Sequence, residues 1–476
     1  MLKFMVLFTK KLLMKAQKRE IGMKRMRELL IILVMMFGIV LTLTACRTVK
    51  EKEVKTSESK SVPAYTGSGE IESFDSFEMS KSKYSIISGA MQDDFKDYTA
   101  LLAKEGYECF YETSVNGNLF ETWTDGHTIF TLSHIAYVDV ATTDYKTESL
   151  GDVSYMSIAV DSVENSALPA REEEIEKITE VQITSVGTVC GYVLRLADGR
   201  FVIFDGGMPE QSRAIYDILK SQNVLEGEPV IAAWFLTHGH LDHIGAPLKF
   251  IERYRDRVEI ETFVHNLPAY AIYNEKNTAE KKPEVESENL YYQSEMYYSK
   301  IEAFYPDSNI IVAHAGQRFE YGDIDIDVLF TTENIYKKQM YDTNMSSVVY
   351  SITGSSGRMI ILGDAQDIQC PTINAIYGEE LKCDIIQVAH HGYNGGNAEM
   401  YASMNPKYAI WPNSYEEVMK RGLHIPSMYA RNTFNYKTVT YNLIPTISGE
   451  NIILREGMAQ EELVKYDANL TDSIPN

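Results

Sequence analysis

The chain is expected to fold as an α/β protein of the mixed, α+β kind, with sheets covered by helices. From Val181 onward, short apolar runs of strand length alternate with stretches of helical period. Upstream, residues 75–165 hold alternating segments bounded by turn signals, together with one amphipathic helix. At 476 residues the chain exceeds what one compact core takes in, so two folded parts with extra segments are expected.

Residues 1–45 carry nine basic and two acidic residues and end in the apolar run Leu29 to Leu43. A charged start, an apolar centre and small residues before a cleavage point describe an export signal; Met23, followed by Lys24, Arg25 and Arg27, is an alternative start. An uncleaved membrane helix is the competing reading, because the run approaches the length of a span. Leu43-Thr44-Ala45-Cys46 resembles the lipobox of bacterial lipoproteins. The resemblance implies a lipid on Cys46 and a place on the extracytoplasmic face of the cell membrane. The whole chain has 45 basic and 67 acidic residues, so without residues 1–45 its formal charge is −29. Such a surface repels polyanions and disfavours non-specific nucleic-acid binding. Cys109, Cys190, Cys370 and Cys383 show no CxxC spacing and read as isolated small apolar residues.

Residues 46–74, rich in Lys, Glu, Ser and Thr, read as a flexible tether. In the small α+β domain at 75–165, Phe95, Tyr98, Leu101 and Leu102 recur at helical spacing within Asp93 to Lys104. Asn116-Gly117 separates two strands, and a third runs from Ile129 to Ile135. Val153 to Val160 adds another alternating segment, and His127 and His134 read as ordinary surface or core histidines. A charged helix-like stretch, Arg171 to Lys177, leads into the main domain at 176–460, and 461–476 is a tail. There the expected strands are Gly191 to Leu196, Phe201 to Phe204 and Val230 to Leu236, with a helix around Arg213 to Lys220.

The densest chemical signal is His238-Gly239-His240-Leu241-Asp242-His243, directly behind the apolar run Val230 to Leu236. Two imidazoles one residue apart can face one metal from the turn ending a strand, while Asp242 and His243 can face a second. Imidazole with carboxylate suits zinc, with manganese and iron as competitors. Three further strand ends supply acids and rings. Phe204 leads to Asp205-Gly206-Gly207, Met359 to Leu362 leads to Gly363-Asp364-Ala365, and Asp384 to Val388 leads to Ala389-His390-His391-Gly392. A carboxylate at a strand end can bridge two cations through its two oxygens.

Thr237 to His243 resembles the signature of the metallo-β-lactamase-fold hydrolases, and the resemblance extends over about residues 178–456. It implies an αββα sandwich with two divalent metal ions at one edge. Asp205 would then orient a ligand histidine and Asp364 would bridge the ions. The His-His-Gly segment resembles those of competence-type DNA-uptake hydrolases and teichoic-acid phosphorylcholine esterases. On that likeness one of the two histidines, His391 in preference to His390, completes the second metal site, and the other, His390 on that choice, could donate a proton to a leaving oxygen. The histidine usual before the bridging aspartate is missing; Thr343-Asn344-Met345-Ser346-Ser347 stands there, and Asn344 could offer a carbonyl oxygen instead. His424, in a Gly-Leu-His-Ile-Pro segment similar to the GHP of the same branch, is a substrate-side candidate. His265 and Tyr393 are further ones, and Tyr341, Tyr393 and Trp411 could cage a quaternary ammonium.

The expected chemistry is hydrolysis by hydroxide held between two metals, whose pKa is drawn toward about 7, with Asp242 and Asp364 serving as ligands and as orienting groups. His240 stands where related oxygen reductases carry Glu. The expected substrate is an extracellular phosphodiester, either a small molecule or part of the cell wall. The alternatives are a lactonase, thioesterase or β-lactamase of the same fold, or a non-catalytic binding lipoprotein.

Overall fold

The structure is a computed structural model. It describes residues 62–75, 82–136, 154–186, 189–267, 284–335, 343–366 and 369–413, save positions 356, 394, 407 and 411, together with 451–452. The signal segment, Cys46, most of the tether, Tyr341, Trp411, His424 and the 461–476 tail lie outside the described residues. Among the described residues no helix is long and apolar enough to cross a membrane.

The N-terminal part is an antiparallel six-stranded sheet. Its strands are β1 (Glu70–Asp75), β2 (Lys83–Ser88), β3 (Glu108–Val115), β4 (Asn118–Thr124), β5 (Thr128–Ile135) and β6 (Tyr155–Ser162), in the order β1-β2-β6-β5-β4-β3. β1 begins inside the stretch read as a tether, so order starts earlier than composition suggests. The amphipathic period of α1 (Gln92–Lys104) lays Phe95, Tyr98 and Leu102 on one face of this sheet, against Phe130 and Leu132. Asn116 and Gly117, with φ of 51° and 78°, make the tight turn that joins β3 to β4.

The rest comprises β7 (Arg171–Glu172), β8 (Gln182–Ser185), β9 (Gly191–Arg195), β10 (Phe201–Asp205), β11 (Val230–Phe235), β12 (Glu259–Ile260), β13 (Thr262–His265), β14 (Asn309–Val312), β15 (Arg318–Tyr321), β16 (Ile324–Phe330), β17 (Val349–Gly354), β18 (Gly357–Ile361), β19 (Ile385–Gln387), β20 (Tyr408–Ile410) and β21 (Asn451–Ile452). One sheet has the order β14-β13-β11-β10-β9-β8-β21, with β12 beside β11; the other runs β20-β19-β18-β17-β16-β15-β7. The charged stretch from Arg171 to Lys177 is not a helix. Its first two residues pair in parallel with β15, and Arg171 meets Glu320. Without an apolar face, helical propensity there had nothing to dock, and the sheet edge won.

The two sheets face each other across one apolar layer that includes Phe204, Phe235, Phe319, Tyr350 and Ile361. Burying each such side chain contributes roughly 1.5–3 kcal/mol. Behind the first sheet lie α2 (Ser212–Gln222), α3 (Leu241–Tyr254) and α4 (Glu284–Phe304); behind the second lie α5 (Cys370–Tyr377) and α6 (Ala398–Met404). This is the expected αββα sandwich. β10, β11, β13 and β14 run parallel, as do β18, β19 and β20, and both sets deliver their carboxyl ends to one edge.

The N-terminal sheet packs on this sandwich through polar as well as apolar contacts. Asn116 and Asn118 donate their side-chain amides to the last carbonyls of α5, at Ile376 and Tyr377, and Phe120 stacks on Tyr377. Buried His314, just after β14, lies between the carboxylates of Asp161 (2.9 Å) and Glu333 (3.1 Å). Burial works against its charge, yet the two carboxylates outweigh it and raise the ring from 6.5 to about 10. A folded-state value above the unfolded one means stability that is full below about pH 6.5 and lost as pH climbs through about 10. Thermal denaturation followed from neutral to alkaline pH is therefore expected to show a fall that is shallower in His314→Gln.

Candidate metal centre

Each motif is placed at the edge by a strand that ends there. β10 stops at Asp205, which is buried and left-handed at φ 49°. β11 delivers Thr237, His238 and His240, and α3 starts at once, so that Asp242 and His243 project from its first turn. β18 delivers Gly363 and Asp364. Gly363 has φ 55°, and a Cβ there would stand 2.8 Å from the Thr237 Cβ, so only glycine lets the Asp364 turn close onto the histidine turn. β19 delivers His390 and His391, both left-handed at φ 50° and 53°. Five non-glycine residues have positive φ among those described, and three of them, Asp205, His390 and His391, are in this site. Such conformations cost about 1–3 kcal/mol each and persist only where surrounding contacts enforce them. Here the contacts are visible: the His390 backbone N–H donates to Gly363 O (3.0 Å), and Gln387 donates to the same carbonyl (2.9 Å).

Asp205 anchors the histidine turn. Its two carboxylate oxygens accept from the Thr237 N–H and hydroxyl, each at 2.7 Å, and Oδ2 also accepts from His243 Nδ1 at 2.8 Å. The single Thr237 hydroxyl proton is thereby committed, so the oxygen accepts from His238 Nδ1 at 3.1 Å. On the other side, His391 Nδ1 donates to Pro412 O at 3.0 Å. These bonds fix the tautomers. In their neutral forms His238, His243 and His391 would each carry the free lone pair on Nε2.

Those atoms converge. His243 Nε2 and His391 Nε2 are 3.2 Å apart, His391 Nε2 is 3.2 Å from Asp242 Oδ2, and His243 Nε2 is 3.1 Å from Asp364 Oδ1. His238 Nε2 lies 3.0 Å from His240 Nδ1 and 3.8 Å from Asp364 Oδ2. Asp364 Oδ1 is buried with no hydrogen-bond partner. Bare acceptors this close repel one another unless positive charge lies between them. Neighbouring ligands on one tetrahedral ion with bonds near 2.0–2.1 Å stand about 3.3 Å apart, which is the spacing observed. Three sets of side chains among the described residues could hold an ion, Cys190–Asp205–His243, His238–His243–Asp364 and Asp242–His243–His391, and the last two are made of the converging atoms. The residues present therefore fit a divalent metal.

The rings and carboxylates also balance one another electrostatically. Burial would raise the Asp364 carboxyl, but the His243 and His391 rings beside it hold it well below the usual carboxylate range. Burial likewise opposes charge on His243 and His391, and the facing Asp364 carboxylate pulls both up. His238, buried and next to His243, is pushed down.

The remaining candidates fall in different places. Asn344 Nδ2 is 3.2 Å from His390 Nε2, which is 3.9 Å from Asp364 Oδ2, so this pair lies beside the Asp364 carboxylate. The Tyr393 ring lies 5.8 Å from His390 and 6.0 Å from His391. His265, read as a substrate-side candidate, is instead a core residue. It is fully buried, its Nδ1 accepts from the Leu267 N–H, and its Nε2 meets the Tyr298 hydroxyl at 2.7 Å; burial lowers it to about 3. Sequence reasoning gave no role to Thr237, Ser347 or Gln387. Ser347 Oγ accepts from the Asp364 N–H at 3.0 Å, and Gln387 also accepts from the Leu362 N–H at 2.8 Å. Thr237 sits within the recognised signature and Ser347 within the segment that departs from it; Gln387 carried no signal.

Known proteins place this architecture. The model of the Metallo-beta-lactamase superfamily matches residues 186–399. No curated protein matches the chain in sequence. Similar solved structures include the metallo-beta-lactamase fold protein YhfI from Bacillus subtilis, 12% identical, covering 54% of this chain and 94% of that one, with a TM-score of 0.31. They also include a Cronobacter sakazakii metallo-beta-lactamase with a HARLDQ motif (13% identical, 61% and 92% covered, TM-score 0.26) and CmlA, a diiron beta-hydroxylase from Streptomyces venezuelae (11% identical, 49% and 46% covered, TM-score 0.28). Residues 186–399 are a metallo-β-lactamase superfamily domain, and the sandwich has the metallo-β-lactamase fold.

Proposed function

We propose that the chain is a metal-dependent hydrolase that cleaves phosphodiesters outside the cell, where a lipid on Cys46 would hold it at the membrane. The observation that supports the metal reading is the approach of the Nε2 atoms of His243 and His391 to 3.2 Å, with Asp205 and Pro412 holding the far nitrogens of the two rings. His238, His240 and Asp364, with Asn344 beside them, would hold one ion; Asp242, His243 and His391 would hold the other, with Asp364 spanning both. Zinc suits this donor set best, and manganese or iron are the alternatives. Divalent ions bound there supply acidified water and polarise the bond under attack.

The protein's own groups do the rest. Asp364 and Asp242 would set the direction of attack, since their oxygens lie 3.1 Å and 3.2 Å from the Nε2 atoms of His243 and His391. His390, with a side chain about a fifth exposed and its Nε2 3.2 Å from Asn344 Nδ2, would protonate a leaving oxygen. Phosphodiester cleavage is supported by the His-His-Gly and Asn/Ser segments, both similar to those of phosphoester-cleaving relatives. The protein loaded with zinc or manganese is expected to release p-nitrophenol from bis-p-nitrophenyl phosphate or p-nitrophenyl phosphorylcholine. No release with either metal removes the phosphodiesterase reading, and faster turnover of lactones, thioesters or β-lactams would replace it.

A further inference from the structure

The N-terminal sheet contributes no residue to the metal-binding motifs, yet a run of its buried polar contacts ends beside them. Asp161 in β6 accepts from Ser82 and from His314 Nε2 (2.9 Å), and the other ring nitrogen of His314 donates to Glu333 Oε1 (3.1 Å). That same oxygen accepts from Asn266 Nδ2 at 2.9 Å, and the Asn266 amide also donates to Ala313 O at 2.7 Å. Asp161, His314, Glu333 and Asn266 are each at most 4% exposed. Asn266 directly follows β13. The parallel register Trp234↔Phe263 and Phe235↔Val264, continued by the Leu236 N–H donating to Val264 O, makes Asn266 and Thr237 the next residues along two neighbouring strands. Thr237 is the residue that holds Asp205 and faces His238 Nδ1.

A buried ion triad is a poor way merely to glue two layers together, because its desolvation offsets most of its attraction and apolar contacts serve better. What it supplies is a single geometry. We propose that the N-terminal sheet is a fixed support of the metal centre, and that the Asp161–His314–Glu333 triad positions Asn266, and through its strand neighbour Thr237 the histidine turn. These are positioning residues and touch no reacting atom. The proposal rests on the metal reading above, and its test uses metal binding alone.

In the full chain, Asp161→Leu removes an acceptor from His314, whereas Asp161→Asn keeps a hydrogen-bonding group in its place. Zinc affinity by chelator competition, and the visible spectrum of the cobalt(II)-loaded protein, are compared between them. Asp161→Leu is expected to weaken zinc binding by about tenfold and to change the cobalt bands, the scale seen when outer support of metal ligands is lost, while Asp161→Asn stays within about threefold of the parent. A folded Asp161→Leu protein with parental affinity and spectrum overturns the proposal. Should that variant fail to fold, Asn266→Ala decides, since it breaks the run at its far end without unpairing a charge: weakened binding supports the proposal and parental binding overturns it. A parent that binds no zinc overturns the metal reading and this inference with it, whereas parental binding in the variants overturns this inference alone.

Discussion

Asp364→Ala is expected to reduce turnover by about 10³-fold or more, the scale at which a principal electrostatic element of an active site is lost. It should also lower the metal content from two ions per chain. The reason is geometric. Asp364 faces His243 through Oδ1, and His238, His390 and His391 through Oδ2, so this one carboxylate meets all four rings. Steady-state rates together with metal analysis after gel filtration check this. Retention of two ions and of more than about a tenth of the activity would show that the carboxylate is not shared, because loss of a bridging ligand should cost more than loss of outer support.

The second large effect is expected at Asp205, which bonds to the histidine turn without facing its centre. Asp205→Ala leaves the Thr237 N–H and the His243 Nδ1–H without their acceptor, in a place where neither can reach water. Breaking such a buried pair costs about 3–5 kcal/mol of stability. Freeing the ring of His243 should weaken metal binding by about 10–100-fold. Asp205→Asn keeps an acceptor for the Thr237 N–H and should fall between the two. Thermal denaturation of the metal-free protein and chelator titration of the loaded protein separate these parts. Unchanged metal affinity in Asp205→Ala would mean that His243 is held by something other than this carboxylate.

Much of this site was legible in the sequence because its signals are local. Two histidines one residue apart behind an apolar run can only come from the turn after a strand, and Asp364 and the His390-His391 pair likewise follow short apolar runs. Sheets covered by helices were legible for a similar reason, since period-2 and helical patterns alternate along the chain, and the resemblance implied the αββα sandwich. What failed was whatever depends on a distant partner. His243 and His391 meet across 148 residues, and nothing near either one states how close they come. His265 ends a strand just as His238 does, but Tyr298 and the Leu267 N–H claim its ring from outside its own segment. The stretch from Arg171 to Lys177 has helix-forming residues, yet its outcome was decided by β15. His314 likewise meets Asp161 on the N-terminal sheet, 153 residues away in the chain.

Crystals of the zinc-loaded protein, with anomalous diffraction recorded on either side of the zinc edge, address the central claim directly. Two peaks are expected about 3.5–4 Å apart on either side of the Asp364 carboxylate, one of them between the rings of His243 and His391. A map with no peak between those two rings, at full zinc loading in solution, would contradict it.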